Sequence, residues 1–325
     1  MKAIVQDRYG SADRLEFRDV DPPVPGPDDV LVRVHAASVN AYDWHLMRGD
    51  PYLARLALGV TRPRRRIRGR DFAGRVEAVG ANVTRLAPGD EVYGEADGAF
   101  AEYVCAPGSA VDRRPAGLTS EQAAALPLAG GTALACVDAA GVQAGQAVLV
   151  NGASGGVGSF AVQIAVSLGA DVTAVCSTRN VELVRSFGAG HVVDYTREDF
   201  TRGGRRYDAV VDVVANRSLS DLRRAVTPAG TLVLAGGGVS RGGRPSVLGP
   251  IGLTVRAMLA SRVVRQRLVV VVHTPSVRSL GRLRELAESG AIRPVIERTY
   301  PLGEAAEAIQ RLHLEHARAK IVVLV

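Results

Sequence analysis

LVNGASGGVGSF, residues 149–160, lies between an apolar run and a segment of helical composition. Ala153, Gly155 and Gly158 have the A-x-G-x-x-G spacing, a variant of the fingerprint that joins a strand to a helix in dinucleotide-binding proteins. Gly155 and Gly156 let the backbone approach a pyrophosphate, which the positive end of the following helix stabilises, and Gly158 permits close helix–strand packing. The turn predicts a nucleotide site, with a purely structural turn as the alternative.

Strands and helices alternate along the chain that follows this turn. HVVDY (191–195), YDAVVDVVA (207–215) and GTLVLAGGG (230–238) are apolar runs separated by polar or helical segments. Continuous apolar strands that alternate with helices predict a parallel sheet covered on both faces. The first hundred residues instead hold short strand-like runs broken by proline and glycine. The sequence therefore predicts an α/β protein, with a β-rich first part and a doubly wound parallel-sheet domain.

The loop after the second predicted strand, at Ser177, Thr178, Arg179 and Asn180, holds no acid. A site for NADH places an aspartate or glutamate about 20 residues after the glycine turn, where it accepts from the ribose 2′-hydroxyl. Two hydroxyls, an amide and a guanidinium instead suit a 2′-phosphate, which an arginine binds through two parallel hydrogen bonds. The loop predicts NADPH as the cofactor, and an ordinary polar loop is the alternative.

Length and composition narrow the class of protein. At 325 residues the chain exceeds what one hydrophobic core usually organises, which predicts two domains. No apolar run approaches the roughly 18 residues of a membrane helix, and the start MKAIVQDRYG lacks the layout of a signal peptide. Cys105, Cys136 and Cys176 are far apart and form no Cys-x-x-Cys pair. We therefore expect a cytoplasmic protein with no membrane partner and no disulfide framework.

Basic residues outnumber acids, and the formal net charge is +7. All but Lys2 and Lys320 of the 40 basic residues are arginines. The densest basic segment, TRPRRRIRGRD (61–71), could hold nucleic acid or an anionic substrate. No aromatic residue interleaves it and no nucleic-acid fold motif accompanies it, so we expect a solvated basic loop and no nucleic-acid partner.

Further motifs occur along the chain in this order: SVNAYDW (38–44), GRDFAGRVEAVG (69–80), PGDEVYG (88–94), LPLAGGTAL (126–134) and CSTRN (176–180). With them, the whole chain resembles the medium-chain dehydrogenase/reductase superfamily, in its zinc-independent quinone oxidoreductase branch. The resemblance implies a GroES-like catalytic domain (1–118 and 275–325), a Rossmann NADPH-binding domain (119–274) and a substrate cleft at their junction. It also implies a homodimer joined through the edge of the Rossmann sheet. LVVVV (268–272) is the candidate edge strand, and an interior strand is an equal alternative.

Matching positions in the family imply a set of cofactor-binding residues. Asn40 and Thr132 would lie beside the nicotinamide and its ribose, and the loop 177–180 around the 2′-phosphate. The other implied contacts are Ser154, Gly155, Gly156 and Val157 for the pyrophosphate, Tyr195 for the adenosine, and Gly236, Gly237, Gly238 and His273 for the nicotinamide pocket.

The same resemblance identifies where a catalytic metal would be bound. Zinc-dependent relatives carry a cysteine in the loop that corresponds to 40–46 and a Gly-His-Glu near 69–71, because catalytic zinc needs three protein donors and an open position. This chain has Asp-Trp-His at 43–45 and Gly-Arg-Asp at 69–71, and it lacks a four-cysteine lobe. We therefore expect no metal.

Without a metal, oxidation of an alcohol loses the Lewis acid that stabilises the alkoxide. Reduction of a quinone, or of a C=C bond conjugated to a carbonyl, needs hydride from NADPH and a weak acid or water that protonates the resulting anion. We therefore expect a reductase of small-molecule quinones or enones. Two alternatives stay open: a reductase dedicated to one enoyl or carbonyl substrate of a pathway, and an NADPH-binding protein with little turnover.

Two side chains are candidates for the proton donor. His45 has a near-neutral intrinsic pKa and stands where many relatives place a tyrosine or lysine that faces the substrate, with Asp43 or Tyr42 as orienting groups. The alternative is a histidine that points to solvent or bonds a loop carbonyl. Tyr52 is the second candidate, and it could equally line a cleft passively. Trp44 is expected to pack.

Overall fold

Two large sheets, one mainly antiparallel and one wholly parallel, form the frame of the protein in a computed structural model that describes residues 1–235, 251–261, 264–314 and 318–325. Unit 1 comprises Met1–Gly131, Thr274–Gly290 and Pro294–Val325, and unit 2 comprises Thr132–His273 and Ala291–Arg293. The domain boundaries expected after residues 118 and 274 stay a prediction. The two units themselves divide at Gly131/Thr132 and at His273/Thr274, with residues 291–293 returning to unit 2.

The helices and strands are numbered in chain order over the described residues. The strands are β1 (Lys2–Gln6), β2 (Leu15–Asp19), β3 (Asp29–Val39), β4 (Asp71–Val79), β5 (Glu91–Glu95), β6 (Tyr103–Pro107), β7 (Val111–Arg113), β8 (Ala147–Asn151), β9 (Asp171–Cys176), β10 (His191–Asp194), β11 (Tyr207–Asp212), β12 (Val226–Ala235), β13 (Arg267–Val271), β14 (Ile296–Pro301) and β15 (Lys320–Leu324). The helices are α1 (Ala41–Arg48), α2 (Arg55–Leu58), α3 (Ser120–Ala124), α4 (Pro127–Ala140), α5 (Gly156–Ser167), α6 (Val181–Ser186), α7 (Leu219–Arg224), α8 (Ile251–Ala260), α9 (Val277–Glu288) and α10 (Ala305–Leu314). Within the described ranges, none of these helices combines the length and the apolar composition needed to cross a membrane.

The sheet of unit 1 runs in the order β14-β15-β3-β4-β5-β7, with β6 paired to β3. Buried side chains such as Val30 and Val32 alternate along β3 with more exposed ones, as expected of a strand with one face on a core. The antiparallel register sets Ser38 opposite Asp71 of β4, and Val39 opposite Ile321 of β15. The end of β3 therefore lies between one strand from early in the chain and the last strand.

The sheet of unit 2 has the order β10-β9-β8-β11-β12-β13, and every neighbouring pair is parallel. Its strands are the continuous apolar runs of the sequence, and Leu149, Val210 and Leu232 are fully buried in one cluster. Because β9 lies on one side of β8 and β11 on the other, the strand order reverses at β8. Open α/β sheets bind ligands outside the carboxyl ends of strands at such a reversal. The glycine turn follows β8 directly, so the predicted parallel sheet is confirmed and the turn lies at the expected edge.

Strand β13, which contains most of the LVVVV segment, forms one edge of this sheet among the described residues, with β12 as its partner. Val272, which follows the strand, is 83% exposed. Of the two alternatives for this segment, the structure shows the edge strand.

Candidate active site

The glycine turn bends the chain from β8 into α5. Gly152 has a φ of +90°, a conformation that favours glycine, and its carbonyl accepts a hydrogen bond from the Gly155 amide at 3.1 Å. The Ser159 amide closes the first turn of α5 onto the Gly155 carbonyl at 2.9 Å. The amides of residues 156–158 are thus those that a helix leaves without an intrahelical partner at its positive end. This arrangement suits a phosphate group.

Gly158 brings α5 into close contact with the turn. A Cβ atom at Gly158 would lie 2.1 Å from the carbonyl oxygen of Gly152, well inside van der Waals contact. A Cβ atom at Gly155 would meet the same oxygen at 3.4 Å, an ordinary contact. Packing of the fold therefore requires glycine at 158 but not at 155.

Asn180 connects the glycine turn to the loop after β9. It is 3% exposed, and its Nδ2 group donates to Ser154 Oγ at 3.0 Å and to Ser177 Oγ at 3.2 Å. The amide therefore faces the protein interior and holds two candidate phosphate-binding loops together. The sequence indicated that Asn180 belongs to the site, but it did not indicate this inward direction, because the pairing with Ser154 joins segments 26 residues apart.

An acid reaches this loop from the neighbouring strand. The parallel register of β9 and β10 sets Asp194 beside Cys176, and Thr178 Oγ1 donates to Asp194 Oδ2 at 2.5 Å. Hydrogen bonds from Thr178 and Thr196 lower the pKa of Asp194, and Arg197 Nε lies 3.6 Å from its Oδ2. Sequence reasoning missed Asp194 because it searched for an acid only at the end of β9. The missing signal was the pairing of β10 with β9, which brings an acid beside this loop.

A buried aspartate shapes the loop after β11. Asp212 Oδ1 accepts from Asn151 Nδ2 at 2.8 Å and from the amides of Val214 and Ala215, each at 3.2 Å. Its Oδ2 is buried without a hydrogen-bond partner in the described structure, and burial raises the pKa of this carboxyl. Because a Cβ at Gly152 would meet Val214 at 2.5 Å, the loop packs directly on the glycine turn. Sequence reasoning missed Asp212 as well.

The remaining predicted cofactor-binding residues of unit 2 differ in how exposed their side chains are. Arg179 and Tyr195 are exposed, Tyr195 by 46%, whereas Thr132 and His273 are half-buried. Hydrogen bonds bring the polar side chains of Ser154, Ser177 and Asn180 together. The predicted positions Gly236, Gly237 and Gly238 lie outside the described residues.

In unit 1, Asn40 precedes α1 and is engaged through each of its side-chain polar atoms. Nδ2 donates to the Ser38 carbonyl at 3.3 Å and to Asp71 Oδ2 at 3.0 Å, and Oδ1 accepts from the Lys320 ammonium at 2.6 Å. The Asn40 backbone amide donates to Asp43 Oδ2 at 2.8 Å. Both side-chain donor positions are used, so this conformation leaves the second lone pair of Oδ1 for a ligand.

Lys320 and Asp71 form a fully buried ion pair at the end of β3, with Nζ 3.6 Å from Oδ2. Lys320 also donates to the Val39 carbonyl at 3.4 Å, and Asp71 accepts from Ser38 Oγ at 2.9 Å and from the Leu128 amide at 3.1 Å. Burial lowers the pKa of Lys320 and raises the pKa of Asp71, while each charge opposes the shift of the other. Removal of either partner would leave a buried charge, at a cost of about 3–5 kcal/mol. Neither side chain was among the predicted site residues.

Asp43 is the carboxyl group beside this pair. Burial raises its pKa to about 7; the hydrogen bond from the Asn40 amide opposes that shift. The charge of Asp71 adds to the shift. Asp43 Oδ1 is buried and has no hydrogen-bond partner among the described residues. The group therefore titrates near neutral pH in the segment that sequence reasoning singled out.

His45 follows on the same helix and is half-buried. Burial lowers the pKa of His45, and the charge and the backbone of Asp50 oppose this shift. Its Nδ1 is buried without a hydrogen-bond partner in the described residues. The preceding Trp44 is 8% exposed and stacks on His313, with ring centroids 3.8 Å apart and planes at 12°. Trp44 thus packs in the core of unit 1.

Tyr52, the second candidate proton donor, lies in a short 3₁₀ turn, Tyr52–Ala54. Its side chain is 44% exposed, and the Arg55 guanidinium lies 4.5 Å from the centre of its ring. Among the described residues, the Asn40 side chain bonds to Ser38, Asp71 and Lys320. No hydrogen bond joins it to Tyr52 or His45 there. Both therefore stay candidates for proton transfer.

The residues at the position of the family's zinc site do not fit a metal ion. Both oxygens of Asp71 accept hydrogen bonds from the protein, and a lysine ammonium lies 3.6 Å from one of them. A fixed cation at that distance disfavours a second one. Over the described ranges, no three or more histidine, cysteine, aspartate or glutamate side chains group in a way that could hold a metal.

Two family models match the chain: one described as "Alcohol dehydrogenase GroES-like domain" over residues 26–116, and one described as "Zinc-binding dehydrogenase" over residues 187–323. The chain is 34% identical to "NAD(P)H oxidoreductase RTN4IP1, mitochondrial" of Mus musculus, over 99% of this chain and 89% of that protein. It is 31% identical to "Chloroplast envelope quinone oxidoreductase homolog" of Arabidopsis thaliana, over 99% and 98%.

Among solved structures, a quinone oxidoreductase from Coxiella burnetii has a TM-score of 0.87 and 29% identity, covering 100% of this chain and 99% of that one. These similarities and the two sheets confirm the predicted α/β fold, with a GroES-like β-rich part and a Rossmann-type parallel sheet.

Gly158→Ala and Gly155→Ala form a matched pair. The methyl group at 158 would overlap the Gly152 carbonyl, so we expect this variant to lose about 2 kcal/mol of unfolding free energy. The methyl group at 155 meets no such overlap, so that variant should keep its stability and bind the cofactor more weakly. Urea unfolding and a fluorescence titration with cofactor measure the two effects. Equal stability of the two variants would contradict the packing argument.

Asp43→Asn keeps an acceptor for the Asn40 amide but removes the ionisation. Asp43 has a pKa of about 7 when folded against 3.8 when free, so between these values the folded chain binds more protons than the unfolded chain. Stability from this group is present at low pH and is lost as the pH rises towards the folded pKa. We therefore expect the unfolding free energy of the wild type to fall, relative to the variant, between about pH 5 and pH 7.5. Urea unfolding at both pH values checks this, and parallel pH profiles would disprove it.

Proposed function

The chain belongs to the medium-chain dehydrogenase/reductase superfamily, in its quinone oxidoreductase branch, and on that premise we propose that it is a zinc-independent reductase that transfers hydride from NADPH to quinones or to carbonyl-conjugated C=C bonds. That it is an oxidoreductase with a nicotinamide cofactor follows from its relatives. The observation that carries the proposal is the glycine turn at the reversal point of the parallel sheet, where the first amides of α5 suit a pyrophosphate.

Zinc independence is supported by the chemistry of the Asp71 position. Both oxygens of the carboxylate there accept hydrogen bonds, and it lies beside a buried ammonium. Reduction of hydride acceptors that need no Lewis acid, such as quinones and enones, is therefore favoured over reduction of simple aldehydes and oxidation of simple alcohols. The quinone class is also supported by the relatives and the solved structure that are named quinone oxidoreductases.

When bound, NADPH supplies the hydride, and the protein's part is to hold it and to complete proton transfer. In this proposal the amides of residues 156–158 hold the pyrophosphate, and Arg179 and Ser177 hold the 2′-phosphate. Asn40 Oδ1, kept in place by Lys320 and Asp71, accepts a hydrogen bond at the nicotinamide side. His45 or Tyr52 donates the proton that neutralises the reduced substrate.

The choice of NADPH is supported by Arg179, a guanidinium in an exposed position of the loop after β9. Thr178 contributes less than its residue type suggested, because its hydroxyl donates to Asp194. Asn180 contributes through Ser154 and Ser177 rather than directly. Selection of the 2′-phosphate therefore depends mainly on Arg179.

Arg179→Ala should weaken NADPH binding by roughly 1.5–3 kcal/mol, the value of a charge-assisted hydrogen bond, and leave NADH binding nearly unchanged. Asp194→Asn is the matched charge control, because it removes a carboxylate from the same loop edge and should strengthen NADPH binding relative to NADH. Fluorescence titrations with both cofactors measure the ratio. An equal loss for both cofactors in Arg179→Ala would refute the assignment.

The function itself is tested by NADPH consumption with a panel of quinones and enones, before and after chelation. We expect turnover with members of both groups and no loss on chelation. Loss on chelation with recovery on added zinc would refute zinc independence. Absence of substrate-dependent oxidation across the panel would refute the reductase and favour the NADPH-binding protein, while turnover of one enoyl substrate alone would favour a pathway-specific reductase.

The same assay separates the candidate proton donors. Tyr52→Phe and His45→Gln each remove the transferable proton at little change in size. The variant that removes the donor should lower kcat about a hundredfold or more, with a smaller effect on KM. Two variants with wild-type kcat would assign the proton to water.

We further propose a homodimer joined through β13, supported by the position of this apolar strand at the sheet edge of the described residues. A sedimentation mass of twice 34.2 kDa tests it. The cytoplasmic location stays a prediction, since the two relatives described above are named as a mitochondrial protein and a chloroplast envelope protein.

A further inference from the structure

A cavity of about 510 Å³ lies in unit 2 near the amino ends of β11, β12 and β13. The glycine turn follows the carboxyl end of β8 in the same parallel sheet, so the two sites lie at opposite edges of that sheet. We name the cavity the arginine groove, after its lining residues Arg206, Arg223, Arg224 and Arg265, together with Gln266. It belongs to no part of the proposed nucleotide site.

The arginine groove concentrates positive charge without a compensating carboxylate in its described lining. Arg206 and Arg265 are exposed and form no ion pair with any described residue. Arg224 pairs with Asp221 one helical turn earlier, and Asp221 is not part of the lining. Several guanidinium groups around one cavity repel each other and attract anions.

One of these arginines is held in a fixed orientation. Arg223 is half-buried, and its Nε donates to Gln266 Oε1 at 2.8 Å. Gln266 is held in turn, because its Nε2 donates to the carbonyls of Arg223 at 2.9 Å and Val226 at 3.1 Å. The stem of Arg223 is therefore anchored through Nε, while the terminal nitrogens of its planar fork match the oxygens of a phosphate.

We propose that the arginine groove is a binding site for a small molecule that carries two or more phosphate groups. The forked guanidinium groups favour phosphate, and the number of uncompensated charges favours more than one phosphate group. The groove is open to solvent, and its volume of about 510 Å³ can accommodate a small molecule. No aromatic side chain lines the cavity in the described residues, which disfavours the base stacking used by proteins that bind single-stranded nucleic acid.

The test is isothermal titration of pyrophosphate and of ATP into the full chain saturated with NADPH, at low salt and again at higher salt. Saturation closes the nucleotide site, so binding that persists reports another site. We expect one site per chain for each probe, with an affinity that falls as salt rises. Absence of binding to both probes, or binding that NADPH abolishes, would overturn the proposal.

Arg265→Glu reverses an exposed charge that makes no described ion pair, so it should leave folding intact and lower the affinity for both probes about tenfold or more. Arg223→Ala should do the same, and thermal unfolding checks its fold. Arg62→Glu, at an exposed arginine of unit 1, is the matched control and should change the affinity little.

Equal losses in Arg265→Glu and Arg62→Glu would show unspecific attraction to a basic surface and reject the site. Titrations with an oligothymidylate and with vesicles that contain phosphatidylserine complete the test. Binding to either of these together with no binding of pyrophosphate and ATP would also reject the proposal, in favour of a nucleic-acid or membrane surface.

Discussion

The close approach of α5 to the end of β8 is the constraint on which the nucleotide-binding half depends. With 2.1 Å between a Cβ at Gly158 and the Gly152 carbonyl, neither a side chain nor a looser turn fits there. The approach aims the first amides of α5 across the carboxyl edge of the sheet. A second close contact, between Gly152 and Val214, packs the loop that Asp212 organises after β11 against the same turn. Two steric conditions at Gly152 therefore position the two loops that border the proposed site.

The other half depends on an electrostatic condition. The Lys320 ammonium joins the last strand to Asn40, 280 residues earlier, and shares Asp71 with it. Because an unpaired buried charge costs several kcal/mol, β15 and β4 must both flank β3 before Asn40 takes its orientation. The Lys320 ammonium beside Asp71 is thus part of the fold itself.

The sequence predicted those features that depend on neighbours along the chain. Glycine spacing after an apolar run identified the turn, and continuous apolar strands identified the parallel sheet. The features it missed depend on pairing between distant segments: Asp194 reaches Thr178 through the register of β10 with β9, and Lys320 reaches Asn40 through the pairing of β15 with β3. Asn180 illustrates both kinds of feature. Its residue type indicated that it belongs to the site, whereas its inward direction depends on the position of Ser154. Residue type thus predicted a candidate site, and strand register determines which partners each group has.

The register of β10 with β9 also affects the expected choice of cofactor. An acid at the end of β9 would accept from a ribose hydroxyl, and Asp194 brings a charged carboxylate to that edge from the next strand. Two threonine hydroxyls already donate to it, and Arg197 lies 3.6 Å away, so much of its charge is compensated before any cofactor binds. In the proposed site, a 2′-phosphate would carry more negative charge than remains uncompensated on Asp194. It would also meet Arg179 on the same exposed loop. If the loop binds the cofactor as proposed, the preference for the phosphate would therefore depend on one exposed guanidinium contact. A preference of that size would separate NADPH from NADH by affinity and would not exclude NADH from the site.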